Sequence, residues 1–381
     1  MTHRFSRYRQ RSCFRLDSSE NAKCPSPQSS VLEGLFMPYN ELRKDYLLDR
    51  WVVIATERGK RPTDFASQER QRTKSAVCPM CQGNEHMTPP AALVYLKSGK
   101  GIRKTRDEND SRHKDWLIRC IPNLYPAFTP PKEELTQKQI MKGNNLASAV
   151  GHHEVLVESP VHDEHPADAR IPQLSLVVNA YIDRLCELSA KPYVKYVSIF
   201  RNHGLEAGAS LSHAHSQIVA TPSIPKIVKD ELEASANFWK RNEKCAFCNI
   251  LEKEHKGPRF IMENSSFAAF TPYASINPLE FWIMPKKHET TLLEMSENEI
   301  KPFAEVLKAC LNSLKRLENE PPYNFCFHLA INKDAKDHYH WHLEVYPRLA
   351  IWAGFEKSTG MYINTVTPEA AAESLKNTIS S

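Results

Sequence analysis

Nowhere among the 381 residues is there an apolar run approaching the roughly 20 residues that span a bilayer, so the sequence predicts no transmembrane helix and no membrane partner. The chain also lacks a net charge of consequence. Its formal +5 is carried by Arg4, Arg7, Arg9, Arg11 and Arg15, all of which precede the first acid, Asp17; without them the 50 basic residues become 45, against 45 acidic ones. A neutral body behind a basic tail argues against nucleic acid as the main partner. A third absence is a cysteine framework of the secreted kind. Of ten cysteines, four fall in two CxxC pairs, Cys78-Pro79-Met80-Cys81 and Cys245-Ala246-Phe247-Cys248, and six are scattered. In a cytoplasmic chain, which is the expected setting, two such pairs point to metal rather than disulfides. Neither pair opens a convincing helix after a strand, as a thioredoxin-like redox site requires.

What is present begins with an unpatterned Ser-, Pro- and Arg-containing segment, 1–38, expected to be a disordered basic extension. Order is expected from about Glu41. Trp51 to Ala55 reads as a buried strand running into Arg58-Gly59-Lys60-Arg61, a cationic turn suited to phosphate, although an isolated basic turn is more often simply solvated. Further strands are expected at Trp116–Cys120, His153–Glu158 and Tyr193–Phe200, with a helix over Leu174–Ser189. Then comes Ser212-His213-Ala214-His215-Ser216-Gln217, followed by apolar Ile218 to Ala220. Read as a strand, it places His213, His215 and Gln217 on one side.

The second half repeats the order of parts: a strand at Leu279–Met284, a helix over about Glu297–Leu317, a strand at Phe325–Ile331, and a second histidine run, His338-Tyr339-His340-Trp341-His342. His162 and His213 are 51 residues apart, His288 and His340 52. Agreement to one residue over that distance indicates an internal duplication. The expected fold class is α+β, two duplicated halves with mainly antiparallel sheet and flanking helices, divided at about 39–225 and 226–381.

A structural zinc wants four ligands, and Cys78, Cys81, His162 and His213 supply two thiolates and two imidazoles; the copy offers Cys245, Cys248, His288 and His340. A metal on His213 would fix the strand that carries His215 and leave His215 free as a nucleophile toward phosphorus. One ring nitrogen must face the substrate while the other donates, most simply to a backbone carbonyl. Gln217 cannot exchange a proton at neutral pH, but it can donate an amide hydrogen bond to a phosphoryl oxygen.

The run Gly208 to Pro222, with His-Ala-His-Ser-Gln at its centre, resembles the active-site motif of the galactose-1-phosphate uridylyltransferase family, a branch of the histidine-triad superfamily. Arg58 to Pro62, the CxxC at 78, Glu158 to His162, Asn202 and the segment Gly354 to Asn364 extend the resemblance from about residue 41 to 370. It implies that His215 becomes nucleotidylated, that Gln217 and Ser210 contact the phosphates, and that Asn123, Asn202, Arg58 and Arg61 lie near the nucleotide. It also implies zinc on the first four-ligand set and a homodimer. Glu344 stands where the family's iron-type arrangement has a histidine, so His340 and the CxxC at 245 favour the zinc arrangement in the second half. Near Gly354 the chain lacks the lysine and glutamine that some members use around the sugar, leaving Glu356 as the acceptor for sugar hydroxyls. The expected activity is ping-pong transfer of UMP from a UDP-hexose to a hexose 1-phosphate. The alternatives are an ADP-glucose or nucleoside polyphosphate phosphorylase using inorganic phosphate, and a non-catalytic zinc-knuckle binding protein.

Overall fold

A computed structural model describes residues 40–60, 77–99, 101–133, 140 and 146–381. The segment 1–38 and Arg61 lie outside the described residues. Residues 40–381 form one compact unit. No helix among the described residues is long and apolar enough to cross a membrane.

Eleven strands make one sheet. In chain order they are β3 (Leu93–Ser98), β4 (Gly101–Thr105), β5 (Trp116–Pro122), β6 (His152–Val157), β7 (Tyr196–His203), β8 (His215–Thr221), β9 (Phe260–Glu263), β10 (Phe267–Phe270), β11 (Phe281–Pro285), β12 (Tyr323–His328) and β13 (His342–Pro347). Their spatial order is β4-β3-β5-β6-β8-β7-β12-β13-β11-β10-β9, and every pairing is antiparallel. The order reads alike from the middle outward: β7, β8, β6, β5 on one side answer β12, β13, β11, β10 on the other. The halves therefore share one sheet, joined where Asn202 pairs with Asn324. A separate small sheet holds β1 (Glu41–Lys44), β2 (Trp51–Ile54) and β14 (Tyr362–Asn364), with β2 and β14 parallel.

Alternation along the strands decides the two faces. One face carries Leu156, Val197, Ile199, Ile218 and Ala220 in the first half and Phe281, Ile283, Phe325, Phe327, Leu343 and Val345 in the second, all in one buried core with the helices. Helix α1 (Ile171–Ser189) has proline in its first turn and buries Leu174, Val177, Val178, Tyr181, Leu185 and Leu188 at helical spacing. Helix α4 (Glu297–Glu318) begins where the Glu299 carboxylate accepts the Ser296 N–H, 2.8 Å, and ends at Asn319 with φ of 52°. It buries Phe303, Leu307, Leu311 and Leu314. Each such side chain, fully buried, contributes about 1.5–3 kcal/mol. With these two helices on that face, the other carries His215, Gln217, Asn202, His342 and Glu344 between two smaller apolar clusters, one around Val155 and Val157 and one around Trp282 and Met284.

Three differences from the sequence reading have local causes. The strand at His215 starts two residues later than expected, because His213 turns out of the sheet toward Cys78 and Cys81. Strand β7 starts at Tyr196 and runs past the expected end at Phe200 through Arg201, Asn202 and His203; Arg201 stays in the sheet because a buried carboxylate, Glu158, meets it. The second CxxC does open a helix, α3 (Ala246–Glu254), although it follows helix α2 (Lys226–Asn242) rather than a strand.

Candidate active site and metal centres

His215 opens β8 and is buried, 6% exposed. Its Nδ1 lies 2.7 Å from the carbonyl oxygen of His213, which can only accept, so Nδ1 carries the proton and Nε2 the lone pair. Burial lowers its pKa, a tendency opposed by the bond to His213 and aided by Arg201. The ring is therefore a neutral base with one nitrogen committed.

The strand is held from behind. Arg201 donates to the His215 carbonyl oxygen at 2.9 Å and to the Glu158 carboxylate, and its other nitrogen meets His165 Nδ1 at 2.8 Å. Next to it, the Tyr181 hydroxyl lies 2.8 Å from Ser216 Oγ. Gly151, immediately before β6, has no room for a side chain: a Cβ there would sit 2.0 Å from the Ala220 carbonyl oxygen.

Gln217 shares the polar face with His215. Phe200 pairs with Gln217, so Asn202, two residues further along β7, falls on this face toward His215. Its Oδ1 accepts from Asn324 Nδ2 at 2.8 Å, across the seam between the halves. Asn123, at the end of β5, and His153, on β6, close the other side, with His153 Nε2 2.8 Å from Gln217 Oε1 and 3.1 Å from Asn123 Nδ2. His153 was not singled out in the sequence; the HH pair at 152–153 has no spacing that signals a role. Ser210 is exposed in the loop before β8, where Gly204 and Gly208 adopt φ of 86° and 87°. Arg58 is exposed on the turn after β2, and Glu356 accepts from the Ala353 N–H at 2.9 Å at the start of α5 (Gly354–Thr359). Among the described residues no hydrogen bond or ion pair joins Arg58, Ser210 or Glu356 to His215.

Both expected ligand sets do come together, each with all four donor atoms within 4.8 Å of one another: Cys78, Cys81, His162 and His213, and Cys245, Cys248, His288 and His340. Five of their eight sulfur-to-nitrogen separations run from 3.2 to 3.7 Å. Zinc bonds of about 2.0–2.3 Å in a tetrahedron give edges of about 3.6 Å, so both sets fit zinc. The far nitrogens of three of the four ligand rings are also engaged, whereas His340 Nε2 is buried without a hydrogen-bond partner among the described residues. His213 Nε2 lies 2.8 Å from the Ser159 carbonyl, His162 Nε2 2.9 Å from Ser212 Oγ, and His288 Nε2 2.8 Å from the Lys336 carbonyl, which directs Nδ1 inward. Burial pushes His213 down to about 4 and His340 down to about 3, so each offers a neutral ring. Cys81 is pushed up to about 11 by burial and by Cys78, a cost that a divalent cation reverses.

A third buried group was missed: Glu231, His328, His342 and Glu344. His342 and Glu344 are the second-half counterparts of His215 and Gln217, and they lie on the same polar face. His328 Nδ1 meets Glu231 at 2.9 Å and its Nε2 lies 3.5 Å from Glu344; His342 Nε2 is 3.2 Å from Glu344. Burial opposes charge on His328, but Glu231 and Glu344 raise its pKa well above the usual value. Burial likewise opposes ionisation of Glu344, yet His328 and His342 bring it down to about 2. Glu344, read in the sequence only as a departure from the iron-type arrangement, thus belongs to an oxygen-and-nitrogen donor set distinct from the thiolate set beside it. Such imidazole and carboxylate donors suit iron as well as zinc. Glu231, on α2, could not be paired with His328 from spacing alone.

One sheet made from two copies of a strand–helix–strand–strand unit, with a histidine opening the same strand in each, defines a duplicated histidine-triad-like protein. The family profile of the galactose-1-phosphate uridyl transferase N-terminal domain matches residues 36–225, and a domain of unknown function (DUF4921) matches 172–381. The chain is 32% identical over 342 residues to an ADP-glucose phosphorylase of Arabidopsis thaliana, covering 88% of this chain and 92% of that protein. It is 31% identical over 349 residues to a galactose-1-phosphate uridylyltransferase of Thermotoga maritima, covering 89% and 98%. A crystal structure of an Arabidopsis ADP-glucose phosphorylase with bound ADP-glucose superposes with a TM-score of 0.74 at 30% identity, over 89% of this chain and 99% of that one. A uridylyltransferase structure gives 0.66 at 27% identity, over 90% and 99%. The chain belongs to the galactose-1-phosphate uridylyltransferase family.

Proposed function

We propose that this chain is a nucleotidyltransferase working by double displacement. The observation that carries this reading is the His215 ring, buried, neutral, with Nδ1 committed to the His213 carbonyl and Nε2 left to attack. His215 Nε2 forms a bond to the α-phosphorus of a nucleoside diphosphate hexose as the bond to the leaving hexose 1-phosphate breaks. An acceptor phosphate oxygen then displaces the histidine, which recovers its lone pair. Gln217, Asn202 and Asn123 supply amide donors to the phosphoryl oxygens, with Ser210, Arg58 and Arg61 assigned to the nucleotide by resemblance. Splitting the transfer into two steps lowers each barrier, and an amide at position 217 offers no base that activates water. Zinc, held by the two Cys2His2 sets, would tie β8 and the second half to their neighbours as a structural crosslink.

In the first reading the group moved is UMP and the acceptor a hexose 1-phosphate, with Glu356 at the sugar. Glu356 makes its bond within α5, beside Ile351 and Phe355, which are 93% and 45% exposed. That exposure goes with a homodimer in which α5 of one protomer serves the site of its partner. The second reading, phosphorolysis of ADP-glucose, is favoured by the higher structural likeness to a protein of that name. Free thiols accord with a cytoplasmic setting in both cases.

The test is a preformed, radiolabelled enzyme intermediate made from UDP-glucose or ADP-glucose. In the first reading galactose 1-phosphate or glucose 1-phosphate discharges it faster than equimolar phosphate, and Glu356→Ala removes most of the difference. Faster discharge by phosphate, with ADP-glucose as the better donor, replaces it with the second. No label on His215 from either donor leaves only the binding-protein alternative.

A further inference from the structure

Gln217 has two ends, and only its nitrogen can donate to a phosphoryl oxygen. Which end faces the ligand is settled one strand away. The Ala127 N–H, a donor that cannot reverse its role, lies 3.1 Å from His153 Nδ1, so Nδ1 must present a lone pair. A neutral imidazole with a bare Nδ1 carries its proton on Nε2. That Nε2–H lies 2.8 Å from Gln217 Oε1, and it can bond an oxygen there but not an N–H. The amide oxygen is thus held toward β6. Gln217 Nε2 makes no hydrogen bond among the described residues and is left to a ligand.

Asn123 fits the same scheme. Its Oδ1 accepts from the Tyr125 N–H at 2.9 Å, which leaves Nδ2 3.1 Å from His153 Nε2, a donor facing a donor. That nitrogen therefore finds no acceptor on His153 and is left to a ligand. Backbone geometry supports the arrangement, since His153 pairs with Val219 in the β6–β8 register and shares the polar face with Gln217 on the diagonal.

We infer that His153 is a positioning residue: through its Nε2–H it fixes the Gln217 amide with the nitrogen toward the reacting phosphoryl group. This rests on the nucleotidyl-transfer reading of His215. Without His153 the Gln217 amide rotates freely, and part of its contribution to the transition state is lost while donor binding changes little. Loss of one transition-state donor costs about 10²- to 10³-fold, and misorientation for part of the time forfeits about tenfold of that.

The experiment measures single-turnover labelling of the full chain by α-³²P-labelled ADP-glucose and UDP-glucose in wild type, His153→Asn, His153→Gln, Gln217→Ala and the His153→Asn/Gln217→Ala pair. Zinc content and thermal melting confirm that each variant is folded. Asparagine can still accept from the Ala127 N–H but cannot reach Gln217; glutamine places an N–H near the position of Nε2. His153→Asn is expected to lower the labelling rate at saturating donor about tenfold, with the half-saturating donor concentration changed less than threefold. His153→Gln is expected to return to within about threefold of wild type, and the double variant to be no slower than Gln217→Ala alone. Labelling of His153→Asn at the wild-type rate, or multiplication of the two losses in the double variant, overturns the positioning role. If His153→Asn does not fold, a His153→Gln protein slowed more than tenfold overturns it equally. A wild type that takes no label on His215 sinks the transfer reading itself, which separates the two failures.

Discussion

Removing the positive charge behind the nucleophile should cost the protein more than any single surface ion pair could. Arg201 and Glu158 have side chains 1% and 2% exposed, and Arg201 also donates to the His215 carbonyl. Arg201→Met keeps most of the volume but strands a carboxylate in the core, with the Tyr181 hydroxyl at 3.3 Å as its remaining side-chain donor. Breaking a buried pair in this way costs about 3–5 kcal/mol, because the partner's desolvation is no longer offset. The lost bond to His215 adds on the order of 1 kcal/mol. The companion change Glu158→Gln removes the stranded charge, so the double variant should regain most of the loss and sit within about 2 kcal/mol of wild type. Urea unfolding followed by tryptophan fluorescence, compared at equal slope, reads both numbers. A cost below about 1 kcal/mol for Arg201→Met, or a double variant no better than the single one, would refute the argument that the pair is a desolvated unit. Labelling of His215 in the double variant should stay slower than wild type, since its carbonyl has still lost the guanidinium.

Three further outcomes follow from the same geometry. Cys78→Ser should lower zinc content and melting temperature together, whereas His215→Ala should leave both near wild type and abolish labelling; a fully metallated, normally stable Cys78→Ser protein contradicts the ligand assignment. Gln217→Glu should slow labelling about 10²- to 10³-fold, and Gln217→His should raise the ratio of hydrolysis to transfer, measured as free nucleotide against nucleotide sugar; an unchanged ratio removes the water-exclusion argument. Burial and the neighbouring Arg201 push His165 down to about 2, below its unfolded value near 6.5, so its contribution is present above pH 6.5 and is lost as pH falls. Wild type should therefore lose up to about 1.4 kcal/mol more per pH unit than His165→Gln between pH 6 and 4, and parallel urea-midpoint curves would rule this out.

What could be read from the sequence was what spacing alone encodes. The CxxC pairs, the matched intervals between His162 and His213 and between His288 and His340, and the strand and helix order of each half all lie in local pattern. The groups that escaped notice are held by contacts between strands or between a helix and a strand. His153 meets Gln217 across 64 residues, Arg201 meets Glu158 across 43, and Glu231 meets His328 across 97. No local period marks any of them. Polarity also hides the end of β7, since Arg201, Asn202 and His203 continue the strand beyond Phe200. Helix α2 was missed for a similar reason: most of it faces water, and only Val228, Glu231 and Ser235 are buried.

The pairing of Tyr323–Cys326 with Phe200–His203 sets the terms on which either half could exist alone. A chain cut between Pro222 and Pro225 would yield two pieces, each ending its sheet in a bare strand with unpaired N–H and C=O groups. Such an edge is a template for any other strand. Mixed together, the pieces can heal by re-forming the β7–β12 contact, and separately each can pair with its own copy through the same strand. Split-protein complementation is thus available at this linker. Either fragment expressed alone should associate with itself or precipitate, so solubility of one half depends on the presence of the other.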